Sequence, residues 1–260
     1  AACVILGRND ATPEMNVGDF DLIADVSPDH RCLRADPAVA FFGHGRAGFG
    51  DINGDQIGDF GVANLITTTK TSWVDVYLGI DAPPVVGDPP VPTDPFLRVR
   101  FTANNQTTRP HAVGDFNGDG IADLGFADGN LNVFYVVLGD AGWTDPVDGI
   151  WEAGDPPIEI DLANEATYGS FRIVRITLAD PGSTTTFFGL YASALGNMFP
   201  DAGPGQYDDV AIRAQVSPNY VFLVKGRAIT DAVTDIVLSG ELVKDGGGAF
   251  VYPDDADTMR

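Results

Sequence analysis

The sequence predicts an all-β protein built from short strands and many turns, and three observations carry that expectation. Of the 37 acidic residues, 32 are Asp and five are Glu, against only three Lys. Asp serves turns and caps better than helix interiors. The 31 Gly and 18 Pro cut the chain into short pieces, and no stretch keeps a 3.6-residue apolar period between helix caps. The third observation is a repeated phrase. GDINGDQIGDFGVAN, residues 50–64, returns 64 positions later as GDFNGDGIADLGFAD, residues 114–128.

The elements follow in the same order after each copy. A short apolar run comes first, DFGVAN at 59–64 and DLGFAD at 123–128. A turn leads to a second run with alternating apolar residues, WVDVYLG at 73–79 and NVFYVVLG at 132–139. A connector rich in Pro, Gly and Asp (81–95 and 140–157) precedes a third run, FLRVRFT at 96–102 and IEIDLA at 158–163. A blurred third copy starts at DAGPGQYDDVAIRA, 201–214, and continues through 220–226 and 235–242; it lies 86 residues on, with the extra length assigned to 166–189. The repeats therefore span about 44–103, 108–163 and 190–242 within a single domain, 1–260. CVILG (3–7) and GAFVY (248–252) read as strands of incomplete repeats at the two ends. The chain opens without an initiator Met, as expected of a processed or excised piece.

The loops suggest chemistry. Counting Asp115 as position 1, side-chain oxygens stand at positions 1, 3, 5 and 9: Asp115, Asn117, Asp119 and Asp123, matched by Asp51, Asn53, Asp55 and Asp59. They converge only if the chain curls about one point, and Gly54, Gly118 and Gly120 permit that curl. Ile57 and Ile121, at position 7, would add a backbone carbonyl while their side chains turn inward. Three carboxylates and an amide with no Cys or His form a hard-oxygen set that suits Ca²⁺ better than Zn²⁺, Cu²⁺ or Mg²⁺. The calcium is expected to be structural, neutralising carboxylates that repel one another. An EF-hand would need an acidic residue at position 12 and a helix after it. Position 12 is Val62 in one copy and Phe126 in the other, and a strand follows.

D-x-N-G-D-x-x-x-D, followed by a short apolar strand and then a VYLG-type strand, resembles the FG-GAP repeats of integrin α-subunit propellers and many bacterial secreted proteins. The resemblance implies a β-propeller of four-stranded antiparallel blades, about four here or a piece of a larger ring, with the calcium loop joining a blade's first two strands. It implies two Ca²⁺ sites and a secreted or cell-surface protein. In the third copy Asp201 and Asp209 keep positions 1 and 9, but Gly203 and Gly205 replace the ligands between, so that loop is expected to be weak or vestigial. Cys3 and Cys32 either form a disulfide, which would contribute about 3–4 kcal/mol, or remain buried thiols; an extracellular setting favours the bridge.

Charge narrows the function. A formal net charge of −22 argues against nucleic acid and anionic membrane surfaces, and no apolar run reaches the ~18 residues of a membrane span. There is no G-x-S-x-G, no H-E-x-x-H and no phosphate-binding glycine loop. The leading expectation is thus a non-enzymatic module that binds a protein or glycan partner or serves as scaffold. A filament or cell-surface subunit that self-assembles through its terminal strands is one alternative. A propeller-type polysaccharide lyase or its carbohydrate-binding accessory, with Arg98, Arg100 and Arg109 toward an acidic sugar, is the other. Trp73, inside its strand, reads as packing before sugar stacking, whereas Trp143 and Trp151 flank the loop TDPVDGI and are expected to be exposed there. His30, His44 and His111 are scattered, and His44 and His111, just before the acidic loops, read as packing or hydrogen bonding before catalysis.

Overall fold

The computed structural model is all-β and describes residues 2–5, 30–33, 41–66, 68–69, 71–79, 95–101, 108–129, 131–143, 156–178, 188–199, 206–214, 220–238, 243–245 and 248–251. Strands β1 (Ala2–Ile5) and β2 (His30–Leu33) form an antiparallel pair with Cys3 opposite Cys32. Residues directly opposite in such a pair lie about 4.5–5.5 Å apart at Cα, which a disulfide spans.

Three five-stranded sheets follow. Strands β3 (Phe41–Gly50), β4 (Asp59–Ile66), β5 (Thr71–Tyr77) and β6 (Leu97–Arg100) make the antiparallel meander of sheet I. Strands β7 (Arg109–Gly114), β8 (Asp123–Asp128) and β9 (Val133–Val137) start sheet II. The chain then leaves that sheet. Strand β10 (Ile158–Asp161) lies parallel on β6 at the outer edge of sheet I, and only after a 3-10 turn (Glu165–Thr167) does β11 (Ile173–Leu178) return to pair antiparallel with β9. Sheet III begins with β12 (Ala192–Gly196), β13 (Asp209–Ala214) and β14 (Tyr220–Val224). Strand β15 (Val233–Leu238) again goes back, parallel to β11 on sheet II, before β16 (Val243–Asp245) and β17 (Gly248–Val251) end the chain's described part, β17 parallel to β14.

This topology corrects the repeat boundaries read from sequence. Residues 158–161 do not close the sheet of the second repeat, and 235–238 do not close that of the third; β10 and β15 each complete the preceding sheet. All these runs alternate apolar and polar residues, so pattern alone cannot choose their partners. Long-range contacts do: β10 is fixed by burial of Ile160 and the following Leu162 and by the Arg100–Glu159 ion pair, β15 by the bidentate grip of Arg175 on Asp235. Among the described residues the terminal strands pair within the chain, β1 with β2 and β17 with β14.

Edge strands β3, β7 and β12 lie side by side in that order, so the sheets stack with sheet II in the middle. Strand periodicity explains how sheet II serves two cores. Tyr135 and Val137 of β9 face sheet I with Leu124 and Phe126, against Val74, Val76, Leu97 and Val99. Their neighbours Phe134 and Val136 face sheet III with Val113, against Val210, Ile212 and Phe222. All six residues of β8 are buried as a result.

Candidate functional site

Both acidic loops have the curl the sequence predicts, and side-chain oxygens hold it. In the first loop Asp51 Oδ1 accepts the amides of Gly54 and Asp55 at 2.6 and 3.1 Å, and Oδ2 accepts Gln56 N at 2.7 Å. Asn53 Oδ1 accepts Asp55 N at 3.2 Å and Asp55 Oδ1 accepts Ile57 N at 2.8 Å. The second loop repeats each bond: Asp115 with Gly118, Asp119 and Gly120, Asn117 with Asp119, and Asp119 with Ile121. Gly54 and Gly118 take φ of 81° and 75°, as so tight a turn requires. Ile57 and Ile121 turn their side chains against Gly79 and Gly139.

Position 9 has a further task. Asp59 Oδ2 accepts Ile52 N at 2.9 Å and its Oδ1 accepts Gly79 N at 2.7 Å. Asp123 holds Phe116 N and Gly139 N, both at 2.8 Å. Asp209 holds Phe199 N and Gly226 N at 2.8 and 3.0 Å. One buried carboxylate per sheet thus clasps the loop's start to the glycine that ends the sheet's third strand. Those glycines admit no side chain; a Cβ on Gly139 would run into the carbonyl oxygens of Ala122 and Ile52.

The same loops join one sheet to the next. Ala122 N donates to Asp51 O at 2.8 Å and Asp140 N to Ile52 O at 3.1 Å, linking sheets I and II. Asp208 N donates to Asp115 O at 2.8 Å and Arg227 N to Phe116 O at 2.9 Å, linking II and III in the same way. Positions 1 and 2 of each loop therefore offer their carbonyls to the loop end and strand end of the following sheet.

The third loop is longer than the sequence suggests. A glycine with positive φ pairs with the clasping aspartate in each of the three five-stranded sheets: Gly50 with Asp59, Gly114 with Asp123, Gly196 with Asp209. The residue after the glycine is Asp51, Asp115 and Asn197 respectively, so the third loop opens at Asn197. Asp201, expected at that position, lies outside the described residues.

The donor set consists of carboxylate and amide oxygens, and burial acts on three of the carboxylates. Burial pushes Asp59 up to about 6 and Asp123 up to about 8; the repulsion of the position-5 and position-1 carboxylates adds to both, against the amides that bond them. Asp115 is also raised by burial. Among the described residues no three acidic, His or Cys side chains stand together as a ready metal cage. Asp51 Oδ1 and Asp115 Oδ1 each already accept two amides, while Oδ2 of both and the oxygens of Asp59 and Asp123 accept one amide and keep a second lone pair. A cation would draw Asp51, Asn53, Asp55 and Asp59, or Asp115, Asn117, Asp119 and Asp123, inward from the loop they already form.

No family model matches the chain, and no curated protein is significantly similar to it. The remaining sequence-selected residues are dispersed. Trp143 packs between Phe96 and Phe171, and Trp73 hydrogen-bonds Asp75 beneath the Arg98 guanidinium; Trp151 and the side chain of His30 lie outside the described residues. Arg98 pairs with Asp75 and Arg100 with Glu159, while Arg109 lies over the Tyr191 ring beside Arg213. The three arginines do not converge on one cleft. His111 is packed against Phe134 and held neutral by burial, which takes it down to about 4; His44 is half-buried on β3. Sequence reading missed three partners of the loops: the strand-ending glycines, Arg172 on Asp119 at 3.2 Å, and Tyr207, whose ring lies on Gly118. The glycines were visible as the recurring YLG, VLG and VKG endings. Nothing local marks Arg172, which is 53 residues from its partner.

Proposed function

We propose that the chain is a calcium-stabilised β-propeller module of a secreted or cell-surface protein, which presents a rigid surface to a protein or glycan partner and has no catalysis of its own. The observation that carries this reading is the pair of acidic loops, alike bond for bond, sitting where each sheet is joined to the next. Cations there would relieve carboxylate repulsion and tighten the junctions, coupling metal to folding. Three stacked sheets with their edge strands in order support the propeller arrangement, and the β1–β2 pair supports a Cys3–Cys32 disulfide bracing the N-terminal segment. A lyase-type reading loses its motivation, since Arg98 and Arg100 are engaged with carboxylates on their own sheet. The test is a melting curve with and without chelator: EDTA should lower the Tm by several degrees and added Ca²⁺ should restore it. An unchanged Tm would sink the calcium reading.

A further inference from the structure

We propose that the two acidic loops differ in calcium affinity and that Arg172 makes the second loop the weaker one, acting as a built-in competitor for the cation. This rests on the calcium reading above and concerns how each site is tuned.

Within themselves the loops are equivalent, down to the Asn side chain that donates to the position-5 carboxylate: Asn53 to Asp55 at 3.1 Å and Asn117 to Asp119 at 2.8 Å. Two groups reach the second loop from outside: Asp208, whose Oδ2 accepts Asp115 N at 3.0 Å, and Arg172, which brings a positive charge. Arg172 Nη2 donates to Asp119 Oδ2 at 3.2 Å, while its Nη1 reaches the carbonyl of Ile229. Asp55 has no such guanidinium among the described residues. Topology accounts for this. Arg172 is the residue just before β11, the strand that pairs with β9. The residue in the same place before β6 is Phe96, which is buried in the core between sheets I and II.

A cation entering the second loop must either displace the guanidinium from Asp119 or bind a few ångströms from a fixed positive charge. Both weaken binding, by about tenfold for a divalent ion and a unit charge at that range in a largely solvated setting. The same ion pair neutralises part of the loop when calcium is low. The second loop would then hold its shape over a wider calcium range, and the first would respond to calcium more steeply.

Calcium titration of the chelator-treated full chain by calorimetry should resolve a tighter and a weaker site. Arg172→Gln should tighten the weaker site about tenfold and leave the other unchanged; Arg172→Lys, which keeps the charge, should move it far less. Terbium luminescence assigns the sites, because Tyr207 lies on the second loop and sensitises a lanthanide bound there. The tyrosine-sensitised signal of the wild-type chain should saturate at the higher terbium concentration, a reading that needs no variant to fold. Two equal sites in the wild type, or no gain in Arg172→Gln, overturn the proposal and leave calcium binding standing. Absence of calcium binding in both proteins overturns the proposal together with the reading beneath it.

Discussion

The first two acidic loops and the third share one aspartate and little else. Asp59, Asp123 and Asp209 all bind a loop amide and the glycine that ends the sheet's third strand. The first two loops surround that aspartate with carboxylates at positions 1 and 5; the third opens on Asn197, and its residues 200–205 lie outside the described residues. The comparison separates two jobs that the sequence motif merges. The clasping carboxylate hydrogen-bonds loop to strand in all three sheets, and the other three side chains would add the proposed cation site on top of it.

The largest effect should come from the clasp itself. Asp123→Ala strips two buried amides of their acceptor and should cost about 3–5 kcal/mol, read as a lower urea midpoint. Asp209→Ala should cost a similar amount whether or not calcium is present, whereas the cost at Asp123 should grow with calcium; equal calcium dependence at both would break the comparison. Gly139→Ala is next, at about 2–3 kcal/mol, because the new Cβ meets the carbonyls that join sheets I and II.

Two pH effects of opposite sign follow. His111 titrates near 4 when folded against about 6.5 unfolded. Its contribution is therefore complete above the unfolded value and lost as pH falls from about 6.5 to 4, by about 3 kcal/mol. His111→Gln should flatten that limb of a stability–pH curve. Asp123 is raised to about 8, so in metal-free protein the stability it lends is present below about 4 and lost as pH rises toward 8. Calcium should remove that upper limb. The smallest effect concerns position 6, where Gln56 has φ of 69° and the second loop has Gly120. Gln56→Gly should stabilise the first loop by about 0.5–1 kcal/mol, seen as a slightly higher Tm.

Composition and the repeated phrase made the all-β class and the two loops legible, because turn residues and ligand spacing are local properties. Strand partners were not. IEID at 158–161 and DIV at 235–237 carry the same alternation as any strand of their repeats, yet each belongs to the preceding sheet for reasons that lie in distant side chains such as Arg100 and Arg175. The start of the third loop is hard to read for a related reason. Asp201 has the right spacing to Asp209, but the hinge is fixed by which glycine pairs with Asp209, and that is Gly196. Arg172 reaches the second loop only through the fold.

The most direct measurement of the central claim is calcium stoichiometry by calorimetry on the chelated chain, repeated with Asn53→Ala and Asn117→Ala. Two ions per chain, falling to one in each variant, is the predicted result. A chain that binds none, or that binds two ions regardless of both substitutions, would contradict it.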